Sequence, residues 1–184
     1  MCRRFKINRE SSSIQELCYF SLRIPRSLDV RVNDEADGII WHDQKPALSL
    51  LRFGFPFDSD SFLYNARIET ANEKKAFSAY LKNRIVFPCT SFFEKGKDDM
   101  EHEFIREDSS LCYLAGFYND QNRFVLLTEK ADHRLSSYHP RMPVLLKRED
   151  VIPYLSQKTC LLSLVSRNRP SVYEKGSYQQ LSLF

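Results

Sequence analysis

Leu111-Cys112-Tyr113-Leu114-Ala115-Gly116-Phe117-Tyr118, then Asn119-Asp120-Gln121-Asn122, then Arg123-Phe124-Val125-Leu126-Leu127-Thr128 is the stretch that decides the fold. Two apolar, aromatic-rich runs flank a polar turn, which is the pattern of a β-hairpin. Further strands are expected on either side of it, at Arg84 to Cys89 and at the apolar run Cys160 to Ser166. Leu48 to Phe57 is apolar and aromatic, broken by Gly54 and Pro56, while Asp34 to Gly38 is polar and turn-like. Helices are few. Ser11-Ser12-Ser13 can cap a short one through about Phe20, with Ile14 and Leu17 facing inward. Thr70-Ala71-Asn72-Glu73 has the capping-box pattern, and Ala76, Phe77, Tyr80 and Leu81 recur at helical spacing behind it. Asn65 to Glu69 would then lie just ahead of a helix start, where backbone N–H groups can meet an anion. Many strands with few helices indicate an α+β chain built on a curved antiparallel sheet or partial barrel. No internal repeat or low-complexity linker divides it. One domain over residues 1–175 is expected, followed by a flexible tail over 176–184.

Composition excludes several classes. Hydrophobic residues make up 42% and charged residues 28%, ordinary for a globular chain. No apolar run approaches the roughly 20 residues that span a bilayer. Met1-Cys2-Arg3-Arg4-Phe5-Lys6 is too polar to lead into a signal-peptide core, so a cytoplasmic protein is expected. The five cysteines, Cys2, Cys18, Cys89, Cys112 and Cys160, lack the close spacing of a zinc site, so no metal or cofactor is expected. Cys18, Cys112 and Cys160 read as small core residues. Residues 1–31 carry seven basic side chains against three acidic ones, and residues 141–176 repeat that balance. Brought together, the two ends would form a surface suited to phosphates; apart, they are solvated faces.

Cys2 is the position with unusual chemistry. Removal of Met1 would leave an α-amine and a thiol on one residue, with ordinary pKa values of about 7.7–8.0 and 8.5. The amine can condense with an aldehyde to a Schiff base. The thiol can then close on the imine carbon to form a five-membered thiazolidine. An internal cysteine cannot do this, because its nitrogen is an amide. Read alone, Cys2 is equally an incidental residue near a frayed terminus.

Several segments, in order, resemble the SRAP family, the SOS-response-associated peptidases that process abasic sites. Met1-Cys2-Arg3-Arg4-Phe5 is similar to the family's Met-Cys-Gly-Arg-Phe. Asn65-Ala66-Arg67-Ile68-Glu69-Thr70 resembles its Asn-Ala-Arg-x-Glu-Thr, and Phe92-Phe93-Glu94 resembles its strand ending Phe-Glu-Trp. Ala115-Gly116-Phe117, Thr128, His139-Pro140-Arg141-Met142-Pro143 and Val165-Ser166 resemble later segments. The resemblance implies autocatalytic removal of Met1 and a thiazolidine crosslink between Cys2 and an abasic site in single-stranded DNA. It leaves open an abasic-site lyase activity. It implies an active site of Cys2, Asn65, Glu94 and His139. Asn65 would hold the amine, Glu94 would shuttle its proton, and His139 would help open the sugar ring. Arg4 and Arg67 would clamp phosphates, with Thr128 assisting at the sugar or phosphate. Without the resemblance, Glu94 reads as a loop charge, His139 as a turn residue and Asn65 as a cap. Three departures stand out. Arg3 occupies the family's Gly position and Lys95 the Trp position. The family's Asn-x-Ala-Pro segment has no match between Val30 and Pro46, where Trp41 and Phe53 are either stacking aromatics or core residues.

The chain ends Gln180-Leu181-Ser182-Leu183-Phe184, similar to the bacterial sliding-clamp-binding peptide. Leu183 and Phe184 would enter an apolar pocket, with Leu181 beside them and Gln180 at its rim. The resemblances together imply a monomer that meets abasic single-stranded DNA at replication forks, tethered by a clamp. Two other readings remain. The chain could be an N-terminal-nucleophile cysteine amidohydrolase, or a non-enzymatic DNA-binding accessory held by the clamp.

Overall fold

The computed structural model describes residues 1–25, 29–59, 61–164 and 169–176. The first strands are β1 (Arg4–Lys6), β2 (Asp29–Arg31), β3 (Glu35–His42) and β4 (Lys45–Phe53), with a 3₁₀ helix over Ser12–Phe20 between β1 and β2. A hairpin of β5 (Phe55–Asp58) and β6 (Ser61–Leu63) leads to β7 (Asn65–Arg67). After the one-turn helix α1 (Lys75–Ser78) come β8 (Arg84–Cys89), β9 (Ser91–Lys95) and β10 (Glu101–Arg106). Next are β11 (Cys112–Tyr118) and β12 (Arg123–Lys130), then β13 (Arg141–Pro143), β14 (Leu145–Leu146), α2 (Arg148–Leu155) and β15 (Val172–Glu174). No helix among the described residues is long and apolar enough to cross a membrane.

The hairpin forms as its sequence predicts. β11 and β12 pair antiparallel from Gly116↔Leu126 to Tyr118↔Phe124. The Asn119 side-chain oxygen accepts from the Gln121 and Arg123 N–H groups, and Asn122 takes φ 55°, the left-handed conformation that Asn tolerates in turns. Gly116 is required by close approach: a Cβ there would stand 2.4 Å from the Val125 carbonyl oxygen. Around the hairpin runs a sheet in the order β13-β12-β4-β3-β8-β11-β14, and because β12 also pairs with β11, five strands close into a ring. The sheet is not purely antiparallel as expected. β12 pairs in parallel with β4 at Phe124↔Phe53 and with β7 at Leu127↔Ala66. Phe53, stacked on Phe124 at 4.7 Å, and Phe87 fill the core, so Phe53 is a packing residue and not a stacking platform. Trp41 is partly buried against the same core. A second sheet, β15-β10-β9-β1-β2, sets the chain's first strand between β9 and β2.

Four expectations are corrected. The Thr70 capping box does not start a helix. β7 joins the sheet, the Ile68 N–H continues that pairing to the Thr128 carbonyl, and turns follow up to Lys74. Sheet pairing of Asn65 to Ile68 outweighs the local cap. Residues 160–164 are not a strand: Leu162–Leu164 is a 3₁₀ turn, and a short apolar run carries no period that separates the two. Cys18 and Cys160 are exposed, unlike buried Cys112, because each falls on the outer side of a helical turn or loop. Within Asp34 to Gly38 only the start is a turn, since β3 begins at Glu35. Arg26, Val165-Ser166, Arg167 and the whole Gln180 to Phe184 segment lie outside the described residues.

Candidate active site at the amino terminus

Three strand pairings assemble the site. β1 runs beside β9 in the register Arg4↔Phe93, which sets the residues just ahead of β1 next to Glu94. β12 carries Asn65 through its pairing with β7, and holds the His139 turn through Lys130↔Arg141. Residues distant in sequence thus converge on Met1 and Cys2. The Met1 ammonium lies 3.0 Å from Glu94 Oε2 and 3.0 Å from His139 Nε2. Asn65 Nδ2 donates to the Cys2 carbonyl at 3.1 Å and to the Tyr64 carbonyl at 2.9 Å. Its Oδ1 is buried with no hydrogen-bond partner. The Cys2 thiol is fully buried and sits 3.6 Å from the Arg4 carbonyl.

Burial controls the protonation states. It lifts the Glu94 carboxyl to about 7, against the opposing pull of the Met1 ammonium and the Cys2 backbone N–H. The same burial, with the Glu94 charge nearby, holds the Cys2 thiol well above its ordinary value. Burial lowers His139, which favours the neutral ring. The tautomer with its proton on Nδ1 donates to the Arg141 carbonyl at 2.9 Å and leaves Nε2 to accept from Met1. The cluster therefore holds an amine between a carboxyl that titrates near neutrality and a neutral imidazole. That arrangement can move protons on and off nitrogen.

The phosphate-clamp candidates divide. Arg67 is exposed. Arg4 is engaged: it donates from Nε and Nη2 to Asp29 at 2.8 and 2.7 Å and from Nη1 to Glu101 at 2.5 Å. Thr128 is fully buried, its hydroxyl donating to the Ala66 carbonyl at 3.4 Å, so it joins β12 to β7 below the site. The basic chain ends do share one sheet, through β1 and β15. Yet Arg141, Arg169 and Lys175 each meet a carboxylate, Glu69, Glu129 and Glu103 respectively.

Two features escape sequence reasoning. Arg141 forms a bidentate pair with Glu69, at 2.8 and 2.7 Å, and also donates to the Thr128 carbonyl. It thereby ties the His139 turn to the segment that carries Asn65. Both residues lie inside quoted motifs, but nothing in the spacing pairs them. Tyr138 is the other. Its ring packs between His102 at 4.7 Å and Phe104 at 5.3 Å, anchoring the residue next to His139. Beside Met1 opens a groove of about 470 Å³ lined by Arg3, Arg31, Phe93 and Lys95 among others.

The chain is similar to known proteins in both sequence and fold. The sequence profile of the family described as SOS response associated peptidase (SRAP) matches residues 1–174. The proteins named abasic site processing protein YoqW, from Bacillus subtilis (strain 168) and from Bacillus phage SPbeta, are each 28% identical, over 86% of this chain and 81% of the relative. A crystal structure of a Bordetella bronchiseptica protein superposes with a TM-score of 0.71 at 17% identity, covering 94% of this chain and 99% of that one. One from Bacteroides thetaiotaomicron gives 0.66 at 18% identity, covering 97% and 94%. With the family profile spanning nearly the whole chain, the chain belongs to the SOS response associated peptidase (SRAP) family.

Proposed function

We propose that this protein processes abasic sites in single-stranded DNA by forming a covalent thiazolidine through Cys2. The observation that carries the reading is the Met1 ammonium held between Glu94 and His139, with Cys2 one bond further along. Water first cleaves the Met1–Cys2 amide, releasing methionine and freeing the Cys2 α-amine. The Cys2 backbone nitrogen already faces Glu94, so the new amine is born beside the group that can take its proton. The unpartnered Asn65 Oδ1 supplies the acceptor that orients it. The abasic sugar opens to its aldehyde as His139 Nε2 takes the proton of the C1′ hydroxyl and returns it to the ring oxygen while the C1′–O4′ bond breaks. The amine adds to C1′, and loss of one water gives the imine. Cys2 Sγ then bonds to that carbon while the thiol proton passes to nitrogen, closing the ring. Arg67 meets a flanking phosphate, and Arg4 does so once phosphate displaces Asp29 and Glu101. The imine also opens a route to strand cleavage, a lyase side reaction that ring closure suppresses. The SRAP membership and the name of the YoqW relatives support the substrate.

Incubation with a single-stranded oligonucleotide bearing one abasic site should give a denaturation-resistant adduct, and intact mass should equal protein lacking Met1 plus DNA minus one water. Cys2→Ala should give none. An adduct of unchanged yield in Cys2→Ala would sink the reading. Amide turnover without DNA would instead favour an amidohydrolase, and lesion-independent reversible binding alone a DNA-binding accessory. The Gln180 to Phe184 tail is proposed to dock on a bacterial sliding clamp. Its deletion should abolish clamp binding measured by anisotropy, and undiminished affinity would reject that partner.

A further inference from the structure

The outer face of the five-stranded sheet carries a feature that the covalent chemistry does not use. Opposed residues of an antiparallel ladder project to one side. The registers Arg4↔Phe93, Lys6↔Ser91 and Glu103↔Phe93 therefore place Arg4, Lys6, Ser91, Phe93 and Glu103 on one face, while Phe5 between the two cations enters the core. The groove beside Met1 opens on this face. A second cleft of about 420 Å³ opens on it as well, beyond Lys6, where Asn8, Thr90, Ser91 and Lys175 are among the lining residues. Phe93, which lines the Met1 groove, is covered by both cations, with the Arg4 guanidinium 4.3 Å and the Lys6 ammonium 5.1 Å from its ring centre, and Lys6 in turn lines the second cleft. Arg4 and Lys6, two residues apart on a strand, are separated by about 6.7 Å along it. That is the scale of one step of an extended nucleotide chain.

We propose that one flank of the bound single strand leaves the Met1 groove, crosses Arg4 and Lys6, and seats a nucleotide in the second cleft against Lys6 and Lys175. This rests on the reading of the protein as a single-strand binder. The cleft chemistry favours a phosphodiester chain over a protein surface. Its lining is mostly hydroxyl, amide and basic groups, with the Glu103 carboxylate, Ile7 and Ile105 among them, and of the described residues none of the large exposed hydrophobics, Tyr19, Ile24, Leu50, Phe57 and Met100, borders it. An apolar anchor for a protein partner is therefore missing. Lys175 is held by Glu103 at 3.2 Å and Lys6 lies 3.8 Å from Asp29, weak exposed pairs that a phosphate can replace.

The test uses full-length Cys2→Ala protein, so that binding is read without the covalent step, and strands carrying a non-reactive abasic analogue extended stepwise on either side. Affinity by fluorescence anisotropy should rise with extension on one side only. Lys6→Ala combined with Lys175→Ala should show a deficit that grows with that extension. Its plot of log affinity against log salt should flatten by about 1.4, two phosphate contacts' worth. Lys6→Glu with Lys175→Glu should make extension unfavourable. Lys45→Ala, at the start of β4, should leave the slope unchanged. A deficit equal at all lengths, or an unaltered slope, would overturn the proposal. Wild-type protein that shows the length effect but forms no adduct would remove the covalent reading and keep the track. An adduct without the length effect would remove the track alone.

Discussion

Burial lifts the Glu94 carboxyl to about 7 from an ordinary 4.5, and that shift has a thermodynamic counterpart. The folded state keeps the Glu94 proton to higher pH than the unfolded chain does. The contribution of this group to stability is therefore fullest below 4.5 and is lost as pH rises through 7. Between pH 5 and pH 8 this one group should cost about 2 kcal/mol. Glu94→Gln should flatten that part of the profile, as urea titrations at the two pH values would show; an identical pH dependence in both proteins would contradict the assignment. The thiols give a second residue-scale prediction. Native protein treated with iodoacetamide should be alkylated first at exposed Cys18 and Cys160, with buried Cys2, Cys89 and Cys112 protected, as peptide mass mapping would read. Early labelling of Cys2 would mean that its thiol is not held neutral by burial.

At the scale of elements, the β11–β12 hairpin is both the clearest signal in the sequence and the scaffold of the site. Gly116→Ala drives a methyl group to 2.4 Å from the Val125 carbonyl oxygen, so the strands must part. A loss of about 1–3 kcal/mol is expected by chemical denaturation, and a change within error would mean the ladder yields freely. The His139 turn is a weaker element, held by Tyr138 between His102 and Phe104 and by the Arg141–Glu69 pair. Tyr138→Ala should slow adduct formation at least several-fold, while Tyr138→Phe, which keeps the ring contacts, should restore it. Equal rates for both would separate Tyr138 from the positioning of His139.

For the whole molecule, the buried Arg169–Glu129 pair fastens the last described segment to the central sheet. Arg169 Nε and Nη2 meet the carboxylate at 2.5 and 2.9 Å, with both side chains largely shielded. Arg169→Ala would leave the buried Glu129 carboxyl without its guanidinium partner, at an expected cost of up to about 3–5 kcal/mol in urea titration. A cost below 1 kcal/mol would show the segment to be independent of the core. The architecture also explains why the charge pattern of the sequence overstates the basic surface. The fold does gather the chain's two basic ends, but it sets carboxylates from β2, β10 and β12 against several of their cations. The path proposed for phosphates runs over cations that already have carboxylate partners, so a strand must displace Asp29, Glu101 and Glu103 to use it.

The sequence by itself determined the strands whose signals are local. The hairpin, the strand ending at Cys89 and the β4–β5 break at Gly54 follow from side-chain preference and turn chemistry within a few residues. It also singled out Cys2, Asn65, Glu94 and His139 through contiguous motifs that resemble the family's, and the fold brings these four together around Met1. It misplaced a helix at Thr70 and a strand at Cys160, where a local preference was outweighed by sheet pairing or where a short apolar run had no distinguishing period. The ring closure, the parallel pairings of β12, the capture of Arg4 by Asp29 and Glu101 and the burial that perturbs Glu94 belong to the tertiary structure alone. Each depends on groups far apart in the chain meeting away from water. Desolvation and long-range pairing have no signature in the order of residues along one strand.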